Sequence, residues 1–355
     1  TRPDRELAGE RRGGQGIVIS NAIKRVVAGH DLAANEVEAV MDEILEGRAT
    51  PAQIAAFVVG LRMKGESAEE IAAAAKSLRK QCEAIHPKVE GPLLDTCGTG
   101  GDGLHTFNIS TAAAIVAASC GVAVAKHGNR AVSSKAGSAD VLEALGVRID
   151  LAPQAVERCI EEVGIGFLFA PSHHAAMRHA APVRRELGIR TLFNLLGPLA
   201  NPASATHQVV GVFDPSRLEQ LAEALGVLGL SAAWVVHGEG GLDEVSPAGP
   251  TQVAELDAGQ VRTFEVSPED FGLPPVPLEA LRGGDAEHNA GILRRVLRGD
   301  RGPARNAVIL NAAAGLCVAG AAADPDSAAR LAGDAIDSGA AREMLERWVN
   351  RTRES

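Results

Sequence analysis

No tyrosine occurs among the 355 residues, and aromatics together make up only 3% of them. The interior must be aliphatic, and the 46% of hydrophobic residues, mostly Ala, Val, Leu and Ile, suffices for a soluble α/β protein. Basic residues are not in excess: 35 Lys and Arg face 45 Asp and Glu, a formal net charge of −10. A nucleic-acid surface needs clustered cations to displace counterions, so no such partner is expected, and any phosphate must be held locally. Long apolar runs are missing too. Ala112 to Ala125 is interrupted by Ser119 and Gly121 and is too short for a bilayer, so no membrane association is expected. Residues 1–17 are charged and Gly-rich; they read as a mobile tail and not a secretory signal, which points to a cytoplasmic protein. The five cysteines (Cys82, Cys97, Cys120, Cys159, Cys317) contain no CxxC pair, which excludes a zinc or disulfide framework and leaves buried thiols.

What is present divides the chain in two, as its length leads one to expect. Val37, Val40, Met41, Ile44 and Leu45 recur at helical spacing after Asn35 and stop at Gly47. Two capping boxes follow, Thr50 to Gln53 and Ser67 to Glu70, so residues 18–85 read as all helix. Beyond Pro87, β-branched runs at 93–96, 122–125, 165–170, 208–213 and 232–236 alternate with helical ones, the pattern of a mostly parallel sheet flanked by helices. Gly121, Gly146, Gly164 and Gly226 read as helix stops, and Ser138, Pro153 and Pro215 stand near starts. The less strand-like stretch 177–202 is expected to return to the helical domain. The α/β domain then comprises 88–176 and 203–350.

Three loops carry candidate chemistry. In Asp95-Thr-Cys-Gly-Thr-Gly-Gly-Asp102 a strand runs into a Gly-rich turn, followed by Asn108-Ile-Ser-Thr111 and a helix. Successive N–H groups and a helix N-terminus there suit a phosphate, although a plain turn with a Ser110 or Thr111 cap would look the same. The turn is neither a Walker loop nor GxGxxG. Lys126 to Ser134 follows the next strand, and in an open α/β sheet ligands gather at carboxyl ends of strands. Lys126 supplies charge, Asn129 an amide, and Ser133 and Ser134 hydroxyls; ordinary turn residues with a solvated Arg130 are the alternative. Asp243 and Glu244 offer hard oxygens for Mg²⁺ shared with substrate phosphates, or else form a solvated acidic turn. His173, His174 and His179 have no metal-binding spacing, whereas Arg184 or Arg185 could fork onto a carboxylate.

Taken together, GTGGD at 98–102, NIST at 108–111, KHGNRAVSS at 126–134, VRRELGIRTLFNLLGPLANP at 183–202 and GLDE at 241–244 resemble the anthranilate phosphoribosyltransferases of tryptophan biosynthesis, from about residue 20 to 350. The resemblance implies a small helical domain beside a larger α/β domain, as in pyrimidine nucleoside phosphorylases, and a homodimer through the helical part. It places Gly98, Gly101, Asp102, Thr106, Asn108, Ile109, Ser110, Thr111, Lys126, His127, Gly128, Asn129, Arg130, Ala131, Val132, Ser133, Ser134 and Ser138 around phosphoribosyl pyrophosphate. Gly98, Asn129 and Arg184 would contact anthranilate. Ser110, Asp243 and Glu244 would hold Mg²⁺, with two ions per subunit. Ala175 departs from the family pattern, which often has Pro after the second histidine, in the segment bordering the aromatic substrate's access path.

The implied transfer needs neither a nucleophile nor a strong base, since the aromatic amine is neutral at pH 7. Two rival readings are a nucleoside phosphorylase of the same fold, with free phosphate and no need of the acidic pair, and a non-catalytic nucleic-acid-binding relative, which the acidic balance opposes.

Overall fold

A computed structural model describes residues 17–131 and 135–354, so Val132, Ser133 and Ser134 lie outside the described residues. The chain opens with helices α1 (Ile17–Val27), α2 (Ala34–Leu45), α3 (Pro51–Lys64) and α4 (Ala68–Lys80). Both capping boxes form: Thr50 accepts from Gln53 N–H at 3.3 Å and Ser67 from Glu70 N–H at 3.1 Å. The first of the three periodic helices starts earlier than its sequence suggests. Its cap is Ala33, whose N–H is met by Glu36, and Asn35 lies inside the first turn. Glu70 is fully buried yet satisfied, accepting from Leu32 N–H, Ser67 N–H and the Lys64 ammonium. Ile44, Phe57, Leu61 and Ile71 fill the space between the helices at about 1.5–3 kcal/mol each.

The second part runs β1 (Leu93–Asp95), α5 (Ile109–Ser119), β2 (Ala123–Gly128), α6 (Ser138–Leu145), α7 (Pro153–Val163), β3 (Ile165–Phe169). A short α8 (Ala170–His173) then leads to α9 (Ala181–Leu187) and α10 (Leu192–Leu199), which pack on α3 and α4. The sheet resumes with β4 (His207–Gly211), α11 (Leu218–Val227), β5 (Ala232–Gly238), β6 (Thr251–Asp257) and β7 (Gln260–Val266). Helices α12 (Ala286–Leu297), α13 (Pro303–Val318), α14 (Pro325–Asp337) and α15 (Ala340–Arg353) complete the chain. The strand order is β3-β2-β1-β4-β5-β6-β7, with β6 and β7 antiparallel and the rest parallel. Alternate residues of a strand face opposite sides, so Trp234 and Val236 join the core under α5 and α13 while Ala233 and Val235 join the core shared with the N-terminal helices.

Two expectations are corrected. Gly226 does not stop a helix: it lies within α11, where a Cβ would come within 3.1 Å of Leu256, and the left-handed residue is Gly229 (φ 85°). The cysteines are all free, but only Cys159 is buried; the other four are half-buried.

Candidate active site

The loops after β1, β2 and β5 meet at the carboxyl edge of the sheet. In the turn after β1, Gly100, Gly101 and Gly103 take φ of 67°, 85° and 78°, which side-chain-bearing residues resist. Thr99 donates both its N–H (2.8 Å) and its hydroxyl (3.1 Å) to the Gly211 carbonyl. A Cβ on Gly98 would sit 2.9 Å from that oxygen, and one on Gly211 would overlap the Asp243 carbonyl. Three chain passes can stack this closely only because two are glycine.

Helix α5 starts at Ile109 without the Ser110 or Thr111 cap a plain turn would have. Asn108 precedes it, and its side chain turns away, donating to the Ala136 carbonyl (3.4 Å) and accepting from Asn289 (3.0 Å). The Thr111 hydroxyl is buried with no hydrogen-bond partner among the described residues. Buried Ile109 fixes the helix start, and Thr106 bridges to Arg282. In that first turn the Ile109 N–H goes to the Phe107 carbonyl and the Ser110 N–H to Glu244, so the helix dipole and the Thr111 N–H are what it offers an anion.

Behind the turn, Lys126 is only 2% exposed, and its ammonium donates to the Thr96 hydroxyl (3.2 Å) and carbonyl (3.5 Å), between Asp95 and Glu244. Asp140 ties the loop after β2 together by accepting from Ala131 N–H and Gly137 N–H, both at 2.9 Å, and from Arg130. Burial pushes its carboxyl up, but those three donors outweigh it and hold the pKa below the usual range. Arg130 is exposed and pairs at the surface with Asp140 and Glu143. Asn129 accepts from Arg130 N–H through its amide oxygen and from the Ser138 hydroxyl through its carbonyl. Gly128 leaves room for Ser138 and Phe167.

His127 belongs to a different neighbourhood. Its Nδ1 lies 3.0 Å from the Gly197 carbonyl, its ring stands edge-on to His174 at 5.2 Å, and burial together with His174 lowers its pKa to about 3. Asp95, Cys97 and His127 bring ligand atoms within 4.8 Å of one another, but they do not suit a metal. Asn201 (2.8 Å) and His127 N–H (3.1 Å) occupy the Asp95 carboxylate, and burial pushes the Cys97 thiol far up.

The loop after β5 folds back so that Glu244 accepts from Ser110 N–H at 3.1 Å, and the Asp243 carboxyl comes up against that of Asp102. Asp102 thereby joins the acidic pair. Burial raises the pKa of Glu244 to about 7 against the attraction of Lys126, and burial with Asp102 and Glu244 raises that of Asp243 well above the carboxylate range. Three carboxylates and the Ser110 hydroxyl crowd together without an ion-paired cation among the described residues, a hard-oxygen set short of positive charge that fits Mg²⁺.

Arg184 on α9 is half-buried, lies 5.8 Å over Phe193, and has no hydrogen bond or ion pair among the described residues; burial lowers its pKa. Arg185 is exposed. A guanidinium left without an anion suits a carboxylate ligand.

Residues 90–342 match a family described as "Glycosyl transferase family, a/b domain", and residues 20–82 its "helical bundle domain". An anthranilate phosphoribosyltransferase of Myxococcus xanthus is 56% identical over 334 residues, 94% of this chain and 98% of that one. The chain belongs to the anthranilate phosphoribosyltransferase family. The enzyme of this family from Moorella thermoacetica is 56% identical, over 92% of this chain and 96% of its own. The crystal structure of the Thermus thermophilus enzyme superposes with a TM-score of 0.89 at 48% identity, covering 94% of this chain and 99% of that one. The Saccharomyces cerevisiae enzyme in complex with phosphoribosyl pyrophosphate and Mg gives 0.87 at 30%, covering 96% and 99%. The fold expected from the sequence, a helical N-terminal domain and a larger α/β domain around a mostly parallel sheet, is that of the family.

Two residues beside the Gly-rich turn went unassigned in the sequence. Gly211 ends β4 without a neighbouring motif, and Arg190 sits within the quoted 183–202 stretch. A separate cavity of about 350 Å³ between α13 and α14 lies away from this edge, with Arg301 and Arg305 paired to Asp337 and Arg330 to Asp326.

Proposed function

We propose that the chain transfers the 5-phosphoribosyl group of phosphoribosyl pyrophosphate to the amine of anthranilate, giving N-(5-phosphoribosyl)anthranilate and pyrophosphate in tryptophan biosynthesis. The observation that carries this reading is the cation-poor trio Asp102, Asp243 and Glu244 set against a Gly-rich turn and the start of α5. That is a site for a polyphosphate brought with its metal. The names of the relatives agree with it.

In this reading the amine nitrogen bonds to C1 of the ribose as the C1–O bond breaks, its electron pair leaves with pyrophosphate, and the surplus amine proton passes to water. The ribose gains oxocarbenium character while negative charge grows on the leaving group. N–H groups of 100–103 and the Thr111 N–H of α5 meet that charge, an interaction stronger in the transition state than in the ground state. Ser110, Asp243 and Glu244 hold Mg²⁺, two ions per subunit, which when bound neutralises pyrophosphate. Lys126 supports the turn from behind. The residues expected from the resemblance at 98–111 and 126–138 form the donor site, and Gly98, Asn129 and Arg184 address anthranilate, with Arg184 taking its carboxylate.

The helical domain comprises 18–85 with about 177–202, and the α/β domain 88–176 and 203–350. A homodimer would cover Val27 and Met63, 71% and 84% exposed on α1 and α3. No helix among the described residues is long and apolar enough to cross a membrane, and we place the enzyme in the cytoplasm. The test follows anthranilate fluorescence with phosphoribosyl pyrophosphate and Mg²⁺. Fluorescence should disappear as pyrophosphate is released; persistence, with turnover of a pyrimidine nucleoside and orthophosphate instead, would assign the site to a phosphorylase.

A further inference from the structure

Arg190 occupies the linker between α9 and α10, two residues past Gly188 (φ 61°). Its guanidinium leaves that segment to donate to the Gly101 carbonyl and lies flat on the Phe213 ring, 3.3 Å from the centroid. It forms no ion pair among the described residues. Gly101 is held to glycine by its φ of 85°, and a Cβ there would come within 2.6 Å of the Arg190 Nη2 and displace the guanidinium. One side chain thus joins three elements: the phosphate turn, the end of β4 through Phe213, and the segment that carries Arg184.

We infer that Arg190 is a positioning residue that couples the two substrate sites, an inference resting on the function proposed above. The α9–α10 segment packs on α3 and α4, and Arg190 is its hydrogen bond to the phosphate turn. A ligand that orders the turn fixes the Gly101 carbonyl, and with it the Arg190 end of the segment whose other end presents Arg184. The planar guanidinium does what an ammonium cannot, because it stacks on Phe213 while still directing an N–H at the carbonyl. Linkage makes the effect reciprocal, so occupancy of the anthranilate site tightens the donor site by the same factor.

The experiment measures anthranilate affinity by fluorescence, with and without saturating pyrophosphate and Mg²⁺, a pair that fills the donor site without turnover. In the wild type the pair should tighten anthranilate by about fivefold or more, the lower end of ordinary coupling. Arg190→Ala should bring that ratio to about one while each ligand alone binds within about threefold of wild type. Arg190→Lys should fall between the two, and Phe213→Leu should lose part of the ratio and add nothing to Arg190→Ala. A ratio of one in the wild type, or an unchanged ratio in Arg190→Ala whatever the separate affinities do, overturns the inference. If that happens while the wild type still consumes anthranilate with phosphoribosyl pyrophosphate, the coupling alone is wrong. If the wild type neither binds nor consumes anthranilate, the functional reading fails first.

Discussion

Replacing Glu244 by Gln removes one charge from the acidic trio and keeps its shape and its acceptor for Ser110 N–H. In the fold its carboxyl titrates at about 7, against 4.5 for the free side chain. A raised acid pKa means that the folded state holds its proton more tightly, so the group's contribution is intact below pH 4.5 and is lost as pH rises through 7. At 1.36 kcal/mol per pH unit, that gap is at most about 3.4 kcal/mol of strain at pH 8 and under about 1 kcal/mol at pH 5. Glu244→Gln should therefore be more stable than wild type at pH 8 without metal. At roughly 2 °C per kcal/mol for a chain of this size, its Tm should rise by up to about 7 °C at pH 8 and by under about 2 °C at pH 5. Calorimetry in EDTA, followed by Mg²⁺ titration, reads both parts: wild type should gain Tm with Mg²⁺ at pH 8 and much less at pH 5, and the variant should gain little at either. A variant less stable than wild type at both pH values would refute the reasoning, because it would make Glu244 a structural acceptor and not an unneutralised metal ligand.

Arg184→Ala should raise the anthranilate KM by roughly 10- to 150-fold, the loss of about 1.5–3 kcal/mol for a charged hydrogen bond, and leave the phosphoribosyl pyrophosphate KM within about twofold; equal losses for both would remove it from the acceptor site. Gly211→Ala forces a Cβ into the Asp243 carbonyl, so turnover should fall at least about 100-fold with a stability loss of about 1–3 kcal/mol, measured by steady-state kinetics beside thermal melts. Near-normal turnover in that variant would mean that the three stacked passes do not set the metal carboxylates.

The sequence by itself determined the elements with strong local codes. Capping boxes at Thr50 and Ser67 and the heptad-like spacing of Val37 to Leu45 need only neighbours three and four residues away, and the five parallel strands show as β-branched runs buried on both faces. The hairpin β6–β7 escaped because its two-residue turn is Ala258-Gly259, with φ of 45° and 81°, where Asn-Gly would have signalled it, and because β7 is largely exposed. The Gly-rich turn, the 126–134 loop and the acidic pair were also legible, each as a motif with an ordinary alternative. Tertiary structure set how these residues stand to one another. It sent Asn108 to Ala136 and Asn289 and set Glu244 on the Ser110 N–H of α5, brought Asp102 from 141 residues away in sequence onto Asp243, buried Lys126 beneath the turn, and laid Arg190 on Phe213 against Gly101. Desolvation and charge repulsion act through space and fall steeply with distance, so the raised carboxyl pKa values at this edge exist only once the sheet has assembled it.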